Sequence, residues 1–142
     1  GDYYIARLNQ VLGVNVDLSL NEWSAFSSQV NAGDFQIAQM GWFPDYNDPY
    51  HMMSLLLSDV NGVMTKYNNP EYDKLVDEAS MEQDPAKQTD LYKQAEILLA
   101  EDSPVIPMWF AVNNTFRYDY VKGMAYSPFA TQGLRYIDTS AR

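Results

Sequence analysis

The chain has 142 residues, of which 46% are hydrophobic and 20% are charged, and it contains no cysteine. This composition predicts one globular domain and excludes disulfides, thiolate metal sites and a cysteine nucleophile. The formal net charge of -10 argues against nucleic acid and anionic membrane surfaces as partners, because phosphate contacts require clustered lysines or arginines.

The first 40 residues alternate between helical and strand patterns. Apolar residues recur at helical spacing over residues 3–12, and a strict apolar-polar alternation follows over residues 14–20. Asn21 is predicted to cap a second helix, and an apolar strand is predicted to begin at Phe35. Helix, strand, helix and strand in this order favour an α/β fold with at least two parallel strands.

Three further helices are predicted from a repeated dipeptide. An Asx side chain can cap a helix while the following proline, at the first helical position, loses no hydrogen bond. The three pairs are Asp48-Pro49, Asn69-Pro70 and Asp84-Pro85. Beyond them, residues 105–110 predict an edge strand that pairs with a second strand at 115–118.

The loop after the Phe35 strand carries the candidate site. Loops at the carboxyl ends of strands are where α/β sheets bind ligands. Asp45 and Asp48 can serve there as an acid-base pair, as part of a calcium site, or as a receptor for a cation, and their spacing does not decide between these roles. Asp48 is explained by helix capping, whereas Asp45 stands among aromatic residues that suit an ammonium group. Trp42 can line a ligand or cover the core.

The sequence gives little support for enzyme activity. The single histidine, His51, has no second ligand or nucleophile at a recognisable spacing, so it is predicted to be a surface or helix-packing residue. No nucleotide-binding, zinc-protease or serine-hydrolase motif is present.

With these motifs in place, the sequence resembles the extracytoplasmic solute-binding proteins of peptide ABC transporters, the oligopeptide- and dipeptide-binding family. The resemblance covers nearly the whole chain. Its motifs are Leu12-Gly13-Val14-Asn15-Val16, Glu22-Trp23, Gly33-Asp34-Phe35, Gly41-Trp42, Asp45 to Pro49, Asn69-Pro70-Glu71-Tyr72-Asp73-Lys74-Leu75, Asp84, Leu91-Tyr92, Ala95-Glu96, Glu101-Asp102, Pro104 and Ile106-Pro107.

The resemblance implies an architecture larger than this chain. Members have two α/β lobes that close on a ligand, each with a mixed sheet flanked by helices. Residues 1–121 then form part of the C-terminal ligand-binding lobe, and residues 122–142 form a tail that returns towards a missing N-terminal lobe. The implied protein is a non-enzymatic importer component without a cofactor. It delivers peptides to permease subunits and is located in the periplasm or at the cell surface as a membrane-anchored lipoprotein.

The resemblance also assigns roles within the loop. The aspartate at the position of Asp45 pairs with the α-ammonium of a peptide, and the tryptophan at Trp42 lines the pocket. Some relatives have an arginine, which meets the carboxylate of a short peptide, where this chain has Gln39, so longer or differently anchored ligands are expected. The predicted ligand-binding residues are Gln39, Gly41, Trp42, Asp45, Tyr46 and Asn47.

Three alternatives stay open. Other branches of the family bind nickel chelates, sugars or haem. A small hydrolase that uses Asp45 and Asp48 is a second alternative, and a protein-interaction module is a third.

Overall fold

The computed structural model describes residues 2–60, 65–112, 114–124 and 136–139, and its regular elements are helices. These are α1 (Asp2–Leu12), α2 (Trp23–Ala32), α3 (Pro49–Met53), α4 (Pro70–Met81) and α5 (Pro85–Asp102), with a 3₁₀ turn at Ser54–Leu56 that continues α3. None of the described helices is long and apolar enough to cross a bilayer. Most of the predicted tail at 122–142 lies outside the described residues.

The three helices predicted from Asx-Pro pairs are confirmed. The Asp48 carboxylate accepts the backbone N–H of Tyr50 at 2.8 Å, and the Asp84 carboxylate accepts that of Ala86 at 2.9 Å. Asn69 accepts two backbone N–H groups at the start of α4. Each side chain satisfies an amide that the first helical turn leaves without a partner, so these helix starts are locally encoded.

The predicted cap of α2 is wrong, although the helix itself is present. Glu22 occupies the cap position and makes no side-chain bond there. The Asn21 amide donates instead to Gln29 Oε1 at 3.1 Å. The other end of α2 is closed by Gly33, whose φ of 73° is a left-handed conformation that glycine adopts without a steric penalty.

The best-buried residues come from the hairpin of α4 and α5 and from the segment through α3. They are Met53, Leu56, Tyr72, Val76, Ala79, Tyr92 and Ala95. Tyr72 is fully buried, and its hydroxyl donates a 2.7 Å hydrogen bond to the main-chain oxygen of Met53. This bond fastens the end of α3 to α4, and it thereby fixes the helix that follows the candidate loop.

The four predicted strands are not formed in the described part of the chain. Residues 14–20, 35–40, 105–110 and 115–118 have no regular secondary structure, and the β-type pairing present is an isolated antiparallel bridge between Lys122 and Asp138. The Phe35 segment is also not buried, since Ile37 is 81% exposed. A strand requires a hydrogen-bonded neighbour, and these segments find none among the described residues. The predicted mixed sheet is therefore not confirmed.

The same segments leave much apolar surface open. The chain has an accessible surface of 11339 Å². A folded chain of this length ordinarily exposes about 7500 Å². Leu20 is 86% exposed and Phe110 is 98% exposed, and the apolar face of α1 contains no buried residue. The described core therefore covers the hairpin and α3 but not the segments that were predicted to be strands.

Candidate ligand-binding site

The candidate loop joins the segment after α2 to the start of α3. Pro49 and the Asp48 cap fix where α3 begins, so the first turn of that helix stands next to the loop that precedes it. The main chain makes a tight turn just before the cap, where the Asp48 N–H donates a hydrogen bond to the Tyr46 carbonyl at 3.1 Å. As a result, a helical residue is placed against loop residues up to nine positions earlier in the chain.

That helical residue is His51. Its Nε2 accepts a hydrogen bond from the indole N–H of Trp42 at 3.1 Å and lies 3.8 Å from Asp45 Oδ2. The Tyr46 ring meets the imidazole edge to face, with centroids 4.8 Å apart. Three of the predicted ligand-binding residues are therefore brought together around a residue that was predicted to have no role in binding.

His51 was predicted to be a surface or helix-packing residue, and the surface alternative is wrong. Only 12% of its side-chain surface is exposed, and it packs against the loop residues described above. No spacing of residue types in the sequence predicts this arrangement. A usable signal was the Asp48-Pro49 pair, because a capped helix start places the third helical residue over the preceding loop.

The remaining predicted residues lie outside this cluster. Gln39, Gly41 and Asn47 are exposed, and within the described residues no hydrogen bond or ring contact connects them to His51. A Cβ at Gly41 would meet no atom within 4 Å, so the surrounding chain does not require glycine there. Their roles in binding stay predictions.

The two aspartates of the loop have different environments. Asp48 serves as the cap of α3, as predicted, with one carboxylate oxygen committed to the Tyr50 N–H. The Asp45 side chain is 81% exposed, and among the described residues it contacts the His51 imidazole but no lysine or arginine. No group of three or more metal-ligating His, Cys, Asp or Glu side chains is present in the part of the chain that the structure describes. The calcium hypothesis therefore gains no support from the geometry.

A cavity lies between the loop and the connection from α4 to α5. Its volume is about 360 Å³, and it is lined by Tyr46, Asp48, Tyr50, Ser80, Gln88 and Tyr92. The Tyr92 hydroxyl is buried and has no hydrogen-bond partner among the described residues. Burial raises the pKa of Tyr92, and the nearby Asp48 carboxylate raises it further. Tyr46 therefore contacts the His51 ring and also lines the cavity that contains Tyr92.

Comparison with known proteins identifies the family. No known protein-family profile matches the chain. The oligopeptide-binding protein OppA of Bacillus subtilis is 35% identical over 115 residues, which are 80% of this chain and 21% of OppA. The dipeptide-binding protein DppE of the same organism is 33% identical over 132 residues, which are 93% of this chain and 24% of DppE. Over this region, the chain belongs to the oligopeptide- and dipeptide-binding family.

A solved structure extends this assignment to the fold. The crystal structure of Haemophilus influenzae OppA in complex with the peptide RPPGFSPFR matches 89% of the present chain, with a TM-score of 0.79 and 29% sequence identity. The match uses 25% of the OppA chain. The chain thus has the fold of a part of these binding proteins, and it spans about a fifth to a quarter of the length of the curated relatives it matches.

Proposed function

We propose that this chain supplies one wall of a peptide-binding site in the substrate-binding component of an ABC importer, with Asp45 holding the α-ammonium of the ligand. The carrying observation is the Asp45 carboxylate, which is exposed and stands beside Trp42, Tyr46 and His51. A carboxylate that is paired with no lysine or arginine of the described residues can attract a cationic group from outside.

The aromatic side chains around Asp45 support the choice of an ammonium. Trp42 is 39% exposed and Tyr46 is also exposed, so both rings can contact a ligand. Aromatic faces attract ammonium groups through the ring quadrupole, and a carboxylate adds a charge-assisted hydrogen bond. An α-ammonium is common to every unmodified peptide, so this contact secures affinity without selecting a sequence. Gln39 offers a neutral amide and thus no cation for a ligand carboxylate.

The rest of the site belongs to the longer protein in this proposal. The chain spans about a fifth of OppA, and its exposed apolar segments need a covering layer. An N-terminal lobe of the same protein provides the opposite wall, and hinge closure traps the ligand between the lobes. The closed form then delivers the peptide to the permease subunits. In this proposal Asp48 caps α3 and Asp45 contacts the ligand, so neither carboxylate acts as a catalytic acid or base. The proposed protein is therefore a non-enzymatic binder.

The proposed location follows from this role. A binding protein that feeds an importer acts outside the cytoplasm, either free in the periplasm or held at the cell surface as a lipoprotein. Protease protection of the protein in intact and permeabilised cells separates these locations from a cytoplasmic one.

The test is native mass spectrometry of the full-length protein as purified, beside Asp45→Asn and Asp34→Asn variants. Asp34 is an exposed acid outside the His51 cluster and serves as the matched control. We expect a ladder of co-purified peptide masses on the wild type and on the control. The Asp45→Asn variant should lose them, because removing one partner of a desolvated charge pair costs about 2 to 5 kcal/mol.

Other outcomes would redirect the proposal. A single non-peptide mass would assign the protein to a branch that binds another solute, such as a nickel chelate, a sugar or haem. Peptides retained equally by all three proteins would leave peptide binding in place and remove Asp45 from it. Peptide turnover that depends on Asp45 would instead establish the hydrolase alternative.

A further inference from the structure

One nitrogen of the His51 imidazole, Nε2, lies close to two other side chains. Nε2 is 3.1 Å from the Trp42 indole nitrogen, which can only donate, and 3.8 Å from a carboxylate oxygen of Asp45, which can only accept. While Nε2 accepts from the indole it carries no hydrogen, so it has nothing to donate to Asp45. In this neutral tautomer of His51, whose hydrogen is on Nδ1, the indole N–H is bonded and the Asp45 carboxylate is open to solvent.

Protonation of His51 reverses both contacts. An imidazolium has a hydrogen on Nε2, so it cannot accept from Trp42 and is attracted to Asp45. The titratable side chains that contact the imidazole in the described residues are Asp45 and Tyr46, both from the loop. Asp48 contacts the main chain of His51, since its carbonyl oxygen accepts a hydrogen bond from the His51 main-chain N–H at 3.2 Å. The two arrangements therefore exclude each other, and adding a proton to Nε2 converts the first into the second.

We propose that His51 is a positioning and specificity-determining residue of the Asp45 site. As a neutral imidazole it orients the Trp42 indole and leaves Asp45 for a cationic group of the ligand. As an imidazolium it takes Asp45 for itself and repels that cation. The inference rests on the proposed function, because it assumes that Asp45 meets the ligand ammonium.

The expected effect on binding is moderate. Two like charges about 4 Å apart in a solvent-exposed setting repel by an amount that corresponds to about a fivefold change in affinity. Histidine ordinarily changes its charge between about pH 5 and pH 8. A ligand with a free α-amino group should bind about fivefold more weakly at about pH 5.5 than at about pH 8. The same ligand with an acetylated amino group should show no such change.

The contact itself can be tested without a ligand. The chain has three tryptophans, so ¹⁵N-labelled protein gives three indole N–H signals, and Trp23 and Trp109 serve as internal controls. The Trp42 signal, assigned with a Trp42→Phe variant, should move as the pH falls from about 8 to about 5.5. In His51→Gln, which offers an uncharged acceptor, the Trp42 signal should stay fixed over that range. In His51→Leu it should shift to the position of an indole without an acceptor.

Binding to the full-length protein tests the specificity. RPPGFSPFR and its N-acetylated form are titrated by calorimetry into wild type and His51→Gln at both pH values. We expect the fivefold pH effect for the free peptide on the wild type alone. A pH effect of equal size in wild type and His51→Gln, or a Trp42 signal that does not move with pH, would overturn the inference.

The failure of the inference and that of the proposed function look different. If free and acetylated peptides bind equally at every pH, or if neither binds, Asp45 does not hold an ammonium of this ligand, and the specificity role falls with the proposed function. If the free peptide is preferred but His51→Gln changes nothing, the proposed function stands and the role of His51 is wrong.

Discussion

Replacing Tyr72 with phenylalanine should remove one buried hydrogen bond and keep the ring packing. The Tyr72 hydroxyl donates to the Met53 oxygen at 2.7 Å, and the residue is fully buried. Loss of the bond costs about 1 kcal/mol, and a buried carbonyl without a partner adds a desolvation penalty of about 1 kcal/mol or more. We expect the free energy of unfolding to fall by about 2 kcal/mol.

The same variant should change the pH dependence of stability. Burial raises the pKa of Tyr72 above its ordinary value of 10.0, so the folded chain keeps a proton that the unfolded chain loses. This contribution to stability is complete below about pH 10 and declines as the pH rises above it. The difference between wild type and Tyr72→Phe should therefore narrow at alkaline pH.

Urea unfolding followed by far-UV circular dichroism, at about pH 7 and about pH 11, measures both effects. Tyr3→Phe is the matched control, since Tyr3 is exposed and its hydroxyl should contribute nothing measurable. Equal unfolding midpoints for wild type and Tyr72→Phe at neutral pH would refute the reasoning, because the Met53 oxygen would then have found another donor at no cost.

Three further predictions concern local stability and use the same unfolding assay. Tyr92→Phe should stabilise the chain by about 1 kcal/mol, because it removes a buried hydroxyl for which the described part of the chain offers no partner; destabilisation would show that the hydroxyl is bonded. Hydrogen bonds from Tyr67 and Asn69 lower the pKa of Asp102, so its stabilisation is present above the unfolded pKa and is lost as the pH falls through the folded one. Tyr67→Phe should therefore reduce stability near neutral pH and have less effect in acid, whereas a constant deficit would contradict this. Gly33→Ala should cost about 1 kcal/mol because of the positive φ, and an added Cβ would also displace the Lys66 side chain; an unchanged midpoint would contradict it.

The helices could be predicted from the sequence because their signals are local. An Asx-Pro pair contains both the cap and the conformational restriction, so the starts of α3, α4 and α5 do not depend on distant residues. Asn21 shows the limit of this logic. It is a good capping residue, but Gln29 competes for its amide, and the helix begins one residue later than an Asn21 cap requires.

The strands could not be predicted reliably, because an alternation of apolar and polar residues is necessary for a half-buried strand but is not sufficient to form one. Residues 14–20 have the pattern, but a ladder also requires a partner strand, which a sequence pattern does not reveal. The candidate site was predicted in part for a similar reason. Trp42, Asp45 and Tyr46 lie in one short loop and were identified together. The place of His51 beside them comes from a contact across nine positions, which depends on where α3 begins.

The hairpin of α4 and α5 has a consequence for the order of folding. Its buried contacts join residues that are all within the range Pro70–Asp102, so little loop-closure entropy opposes them. Local contacts of this kind form within microseconds to milliseconds, whereas non-local pairing is slower. We expect the hairpin to form first and to serve as the template on which α3 docks. We then expect the apolar segments at 14–20 and 105–110 to be the last to find partners, so they stay exposed longest during folding.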